Sequence, residues 1–119
     1  MTPDQFHKLA LSQPEIVQGQ HMGTTDFRAN GRIVATIGTP EVGWAMIKLP
    51  LDQQAMVCTS QPKVFQPFKG GWGRLGCTSV KLAAAKVPEV REALLLSIQN
   101  SMEKKPVKMK KPRAKKGKK

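Results

Sequence analysis

Few side chains in this sequence are equipped for covalent or acid–base chemistry. The imidazoles are His7 and His21, and the thiols are Cys58 and Cys77. Their spacing matches no metal-ligand pattern. His21 would need to meet Cys58 or Cys77 in space to form a nucleophile and base, and a small buried structural cysteine is the simpler reading of each thiol. His21 near Asp26 reads as a hydrogen-bonded loop contact rather than a general base. The sequence therefore assigns no catalytic residue, no metal ligand and no cofactor, and points to a protein that is not an enzyme.

Charge is the stronger signal. The chain has 119 residues and a net charge of +12. Residues 1–102 hold ten of the twenty Lys and Arg and seven of the eight acids, so they carry +3, whereas residues 103–119 carry +9. This C-terminal segment contains Lys104, Lys105, Lys108, Lys110, Lys111, Arg113, Lys115, Lys116, Lys118 and Lys119, interrupted by Pro106 and Pro112. Like charges and the scarcity of apolar residues predict a disordered tail. Its lysines suit phosphates, with counterion release making the binding insensitive to sequence and steeply salt-dependent. A purely solubilising tail is the plainer alternative. An anionic membrane is a third partner for such charge, but the tail has no Trp, Phe or Leu to insert.

Two further groups of residues invite a binding reading. Lys69 and Arg74 bracket Gly70-Gly71-Trp72-Gly73, which places two cations and an indole at an expected hairpin tip. The glycines lack the strand and helix context of a phosphate-cradling loop, so a structural turn is the default. Trp72 is either a stacking platform or a lid over the core. Arg28, Thr36, Trp44, Met46 and Lys48 share one side of the expected sheet, which either binds something or is covered by a helix or partner.

The elements that must position these residues follow from the pattern. Thr2-Pro3-Asp4-Gln5 carries an N-cap, a first-turn proline and a capping-box Gln, predicting a helix over about residues 3–12. Period-two alternation from Thr24 to Leu49 predicts a three-stranded meander. A two-residue Asn30-Gly31 hairpin disagrees with the apolar phase, so a bulged register is preferred. It pairs 29 with 33, 27 with 35 and 25 with 37, and puts Phe27, Ala29, Ile33, Ala35 and Ile37 on the core face. A short helix over about 52–60 is expected to bury Ala55, Met56 and Val57. A hairpin should follow, with strand 64–68 kept to an edge by Pro67 and strand 74–82 carrying Thr78, Val80 and Leu82 in phase. Pro88, Glu89 and Glu92 open a final helix, expected to run to about Ser101 with Val90, Leu94, Leu95, Ile98 and Met102 toward the sheet.

The expected class is α+β: an antiparallel sheet of a three-stranded meander plus a second hairpin, with three helices. Residues 1–102 form one domain and 103–119 the Lys-rich tail. No apolar run is long enough for a membrane span, and Met1-Thr2-Pro3-Asp4 does not open a signal peptide, which predicts a cytoplasmic protein with reduced thiols.

His21-Met22-Gly23-Thr24-Thr25-Asp26-Phe27-Arg28, then Gly31-Arg32-Ile33-Val34-Ala35-Thr36-Ile37, and again Gly70-Gly71-Trp72-Gly73-Arg74, resemble the MmcQ/YjbR-like family. Leu11-Ser12-Gln13-Pro14-Glu15, Lys48-Leu49, Asp52-Gln53-Gln54-Ala55 and the last helix match in the same order, so the resemblance spans about residues 3–102. It implies a compact α+β fold whose two hairpins are likened to the double-wing motif of a phage DNA-binding domain. Members are often labelled DNA-binding on that shape, and the family supplies no catalytic residues. Cys77 stands where relatives tend to carry Trp, which weakens the case for a shared aromatic site on that strand.

The leading expectation is a non-enzymatic nucleic-acid-binding protein of low sequence specificity, with DNA favoured over RNA and most affinity supplied by the tail. The candidate contacts are Arg28, Arg32, Lys48, Lys69, Trp72 and Arg74 in the body, together with the ten tail cations. The alternative is a protein-interaction or small-ligand module with a concave or apolar patch around Trp44 and Trp72 and a solubilising tail. Oligomeric state is not legible.

Overall fold

The computed structural model describes residues 1–21, 23–38 and 41–104, with His21 described by its backbone. The basic residues from Lys105 to Lys119, and with them the expectation of disorder, lie outside the described residues.

Helix α1 (Pro3–Leu11) begins as its sequence directs. Thr2 Oγ1 accepts from the Gln5 amide at 3.1 Å, and Gln5 Oε1 accepts from the Thr2 amide at 2.8 Å. Strands β1 (Val17–His21), β2 (Thr24–Ala29), β3 (Arg32–Ile37) and β4 (Trp44–Lys48) follow, then α2 (Leu51–Ser60), β5 (Phe65–Pro67), a one-turn helix α3 (Gly71–Arg74), β6 (Cys77–Lys81), a 3₁₀ turn and α4 (Val87–Met102). The six strands form one antiparallel sheet in the order β1-β2-β3-β4-β6-β5. The class is α+β, as expected, with one strand and one short helix more than the sequence suggested. Strand β1 escapes the pattern because Val-Gln-Gly-Gln-His has a single apolar residue; it is a polar edge, which also protects it from self-association. Pro67 sits at the opposite edge, where no amide is needed.

The β2–β3 hairpin keeps both features that the sequence set against each other. Asn30 (φ 57°) and Gly31 (φ 79°) form the two-residue turn, pairing Ala29 with Arg32 and Arg28 with Ile33. The bulge comes one step later, where Val34 is the extra residue before Ala35 pairs with Phe27. The expected pairing of 29 with 33 is thus corrected. Ile33 leaves the core face, and Val34, 2% exposed, enters the core instead. Helix α4 ties this irregularity down: Ser97 Oγ donates to the Val34 carbonyl at 3.3 Å and Ser101 Oγ to the Ala29 carbonyl at 2.7 Å.

The core lies between the sheet and helices α1 and α4. Phe6, Phe27, Ala35, Ile47, Val80, Val90 and Leu94 are fully buried there, with the Phe6 and Phe27 rings edge to face at 6.1 Å. Two helix expectations need correction. Leu95 and Met102 are exposed, because Ala93, Ser97 and Ser101 complete the buried stripe of α4 at closer backbone approach. In α2, Ala55 and Met56 are exposed and Val57 is half-buried, while Gln54 is buried. Among the described residues, no helix is long and apolar enough to cross a membrane.

Candidate functional site

Alternate residues of β2, β3, β4 and β6 face away from the helix-packed core. Asp26 and Arg28 lie on this open face, with Asp26 fully buried and Arg28 forked onto it at 2.9 Å (Nε–Oδ1) and 3.1 Å (Nη2–Oδ2). The hydrogen bond to Asp26 raises the Arg28 pKa above its ordinary value, with burial opposing, so the guanidinium stays charged and paired. The opposite residue on β1 is Gly19, where a Cβ would stand 2.7 Å from Asp26 Oδ1. A glycine is required to leave room for the pair.

Beyond that pair the open face sinks into a groove of about 560 Å³. Thr24, Ile33, Thr36, Met46 and Cys77 contribute from the sheet, Phe68, Trp72 and Leu75 from the β5–β6 connection, and Arg32 and Lys48 supply charge. Among the described residues, its lining contains no carboxylate. Trp72 is 65% exposed. This exposure does not fit a lid over the core.

The wall that carries Trp72 is held by a polar residue the sequence reading passed over. Gln54 Nε2 donates to the Gly73 carbonyl at 3.1 Å, the Cys77 carbonyl at 3.1 Å and Thr78 Oγ1 at 3.2 Å. One buried amide thereby fixes α3 against β6. The turn leaving α3 passes through Gly76 at φ 102°, its carbonyl accepting from the Leu49 amide at 2.8 Å. A side chain at Gly76 would overlap the Leu49 carbonyl. The expected hairpin tip is therefore a helical turn folded back beside the sheet.

Arg32 and Lys48 also border a small cleft with Ser97, Asn100, Ser101 and Lys104. Arg32 Nη1 is buried there without a hydrogen-bond partner. Asn30 Nδ2 donates to the carbonyls of Ser101 (2.8 Å) and Lys104 (2.9 Å), fixing the end of α4 beside these cations.

Of the body residues proposed from sequence, the structure thus gathers Arg32, Lys48 and Trp72 around one groove. Arg28 faces the same side, occupied by Asp26. Lys69 and Arg74 are exposed and do not line the groove; Arg74 borders a cleft with Leu51 and Gln54 instead. Trp44 is half-buried at the far end of β4 and is not part of the groove, so the patch expected around Trp44 and Trp72 forms around Trp72 alone. The residues missed are the apolar groups Ile33, Phe68, Leu75 and Cys77, of which Leu75 is exposed, Ile33 and Phe68 are half-buried and Cys77 is buried at the groove's base.

The thiols are free, Cys77 buried and Cys58 half-buried. Burial pushes both above the ordinary thiol pKa, with Lys48 pulling Cys77 the other way. His7 Nε2 lies 2.9 Å from Gln18 Oε1. The His21 side chain, needed for a base beside a thiol, lies outside the described residues. Among the described residues, no cluster of three or more His, Cys, Asp or Glu is placed to hold a metal ion. No protein-family model matches the chain, and no curated protein is detectably similar to it in sequence.

Proposed function

We propose that this is a non-enzymatic, cytoplasmic nucleic-acid-binding protein of low sequence specificity, acting on DNA in preference to RNA. The Lys-rich segment from Lys104 to Lys119 supplies most of the affinity by engaging phosphates, and the folded body adds a contact surface on its open sheet face. The observation that carries this reading is the groove itself: an exposed indole, two cations and no carboxylate in one lining. Aromatic faces interleaved with Lys and Arg are the chemistry that binds bases and phosphates together. The resemblance to the MmcQ/YjbR-like family agrees with it.

The test is a salt titration of duplex DNA binding by the full chain and by residues 1–104, a truncation that keeps the Asn30 contacts to the end of α4. If about five to eight tail charges engage phosphates, the full chain should show a slope of about −0.9 per contact in log affinity against log salt. Truncation should flatten it. Equal slopes would remove the tail from the mechanism, and absence of binding by the full chain would reject the function.

A second reading has one observation in its favour. At about 560 Å³, the groove falls in the roughly 300–1,000 Å³ range of small-molecule sites. An anionic aromatic compound would fit its charge, leaving the tail to keep the protein soluble. This reading predicts ligand binding that survives truncation at Lys104 and a body indifferent to DNA.

A further inference from the structure

Resting on the nucleic-acid reading above, we infer that the groove seats an unpaired base together with its phosphate, so that single strands gain a contact that duplexes do not. In a duplex, both faces of each base are covered by stacking and its pairing edge is used. An indole on a groove wall can add nothing to such a base, whereas an unpaired base can lie against it. Trp72 is 65% exposed, and the turn that carries it is held through the Gln54 bond to the Gly73 carbonyl. Met46 and Ile33 add apolar surface to the same groove.

The phosphate half of the site is equally specific in sign. Arg32 and Lys48 line the groove, and Lys104 borders the adjoining cleft with both. Asp26, on the same face, is fully buried and paired with Arg28. Among the described residues, Arg32, Lys48 and Lys104 form no ion pair with a carboxylate. Past Lys104 the chain continues into nine more Lys and Arg by residue 119. A strand whose base enters the groove thus has its backbone at the point where the basic segment begins.

The experiment measures binding of the full chain to a labelled oligothymidylate of about twelve nucleotides and to a duplex of equal length. Trp72→Ala should weaken single-strand binding by about 5- to 150-fold, the loss of one stacked base, and leave duplex binding within about two-fold. Trp72→Phe should restore most of it. Arg32→Ala should lower the single-strand salt slope by about one contact. An abasic oligomer and polyglutamate, as unlabelled competitors, should displace the oligothymidylate poorly. The inference is overturned if Trp72→Ala changes neither substrate or both alike, or if the abasic chain or the acidic peptide competes as well as oligothymidylate. In those cases the tail mechanism stands. If the full chain binds neither polynucleotide, the nucleic-acid reading falls as well.

Discussion

The two faces of the sheet are made from alternate residues of the same strands, yet they are finished in opposite ways. Toward α1 and α4, Phe27, Ala35, Ile47 and Val80 are fully buried among aliphatic and aromatic neighbours. Away from them, the next residues along are Asp26, Arg28, Thr36, Met46, Lys48 and Cys77, and α3 with its flanking turn leaves a groove open beside them. The first face stabilises the fold through area removed from water. The second keeps an indole 65% exposed and two cations along the groove, none of which stabilises the isolated chain by burial. That difference separates residues kept for folding from residues available for binding.

Substitutions that break or sharpen the contrast should fall in order. Phe27→Ala, which empties a fully buried site against Phe6, should cost about 3–5 kcal/mol in chemical denaturation and lower the melting temperature sharply. Gly19→Ala pushes a methyl into the Asp26–Arg28 pair and should cost about 1–3 kcal/mol, with Asp26→Ala on top of it adding much less than it does alone. Gln54→Leu removes the amide whose two N–H groups are shared among the Gly73 and Cys77 carbonyls and Thr78 Oγ1, should cost about 1–3 kcal/mol, and should loosen the Trp72 turn, seen as faster amide exchange at 71–76. Trp72→Ala should shift stability by less than about 0.5 kcal/mol while impairing binding.

The smallest effect is on pH. Burial raises the folded-state pKa of Cys77, so its contribution is complete below the ordinary thiol range and is lost as pH rises through about 8.5 and beyond. The urea midpoint should decline over that interval, and less so in Cys77→Ala.

Much of the covered face was legible because its signals are local or periodic. The Thr2–Gln5 box, the Val90-Leu94-Ile98 stripe and the alternation of β4 each state one structure, and the fold carries them. The open face was half legible. Lys48 and Met46 follow from the phase of β4 and Trp72 from its glycine-rich setting, but Arg32 and Ile33 reach the groove because a tight turn and a bulge coexist in one hairpin. Two register devices in six residues leave several phases open in sequence. Gln54 was unreadable for another reason: a glutamine on an amphipathic helix looks like its solvent side until the carbonyls of Gly73 and Cys77 meet it. Strand β1 carries almost no apolar pattern, and its place is set by its partner β2 and by the space Asp26 needs.

The most direct test of the contrast is methyl and indole NMR of the full chain during titration with oligothymidylate. The account predicts that the Ile33, Met46 and Leu75 methyls and the Trp72 indole N–H shift together, while the Ile47, Leu94 and Ile98 methyls stay in place. Shifts centred on the helix-packed methyls, or binding that leaves all of the open-face probes unmoved, would contradict it.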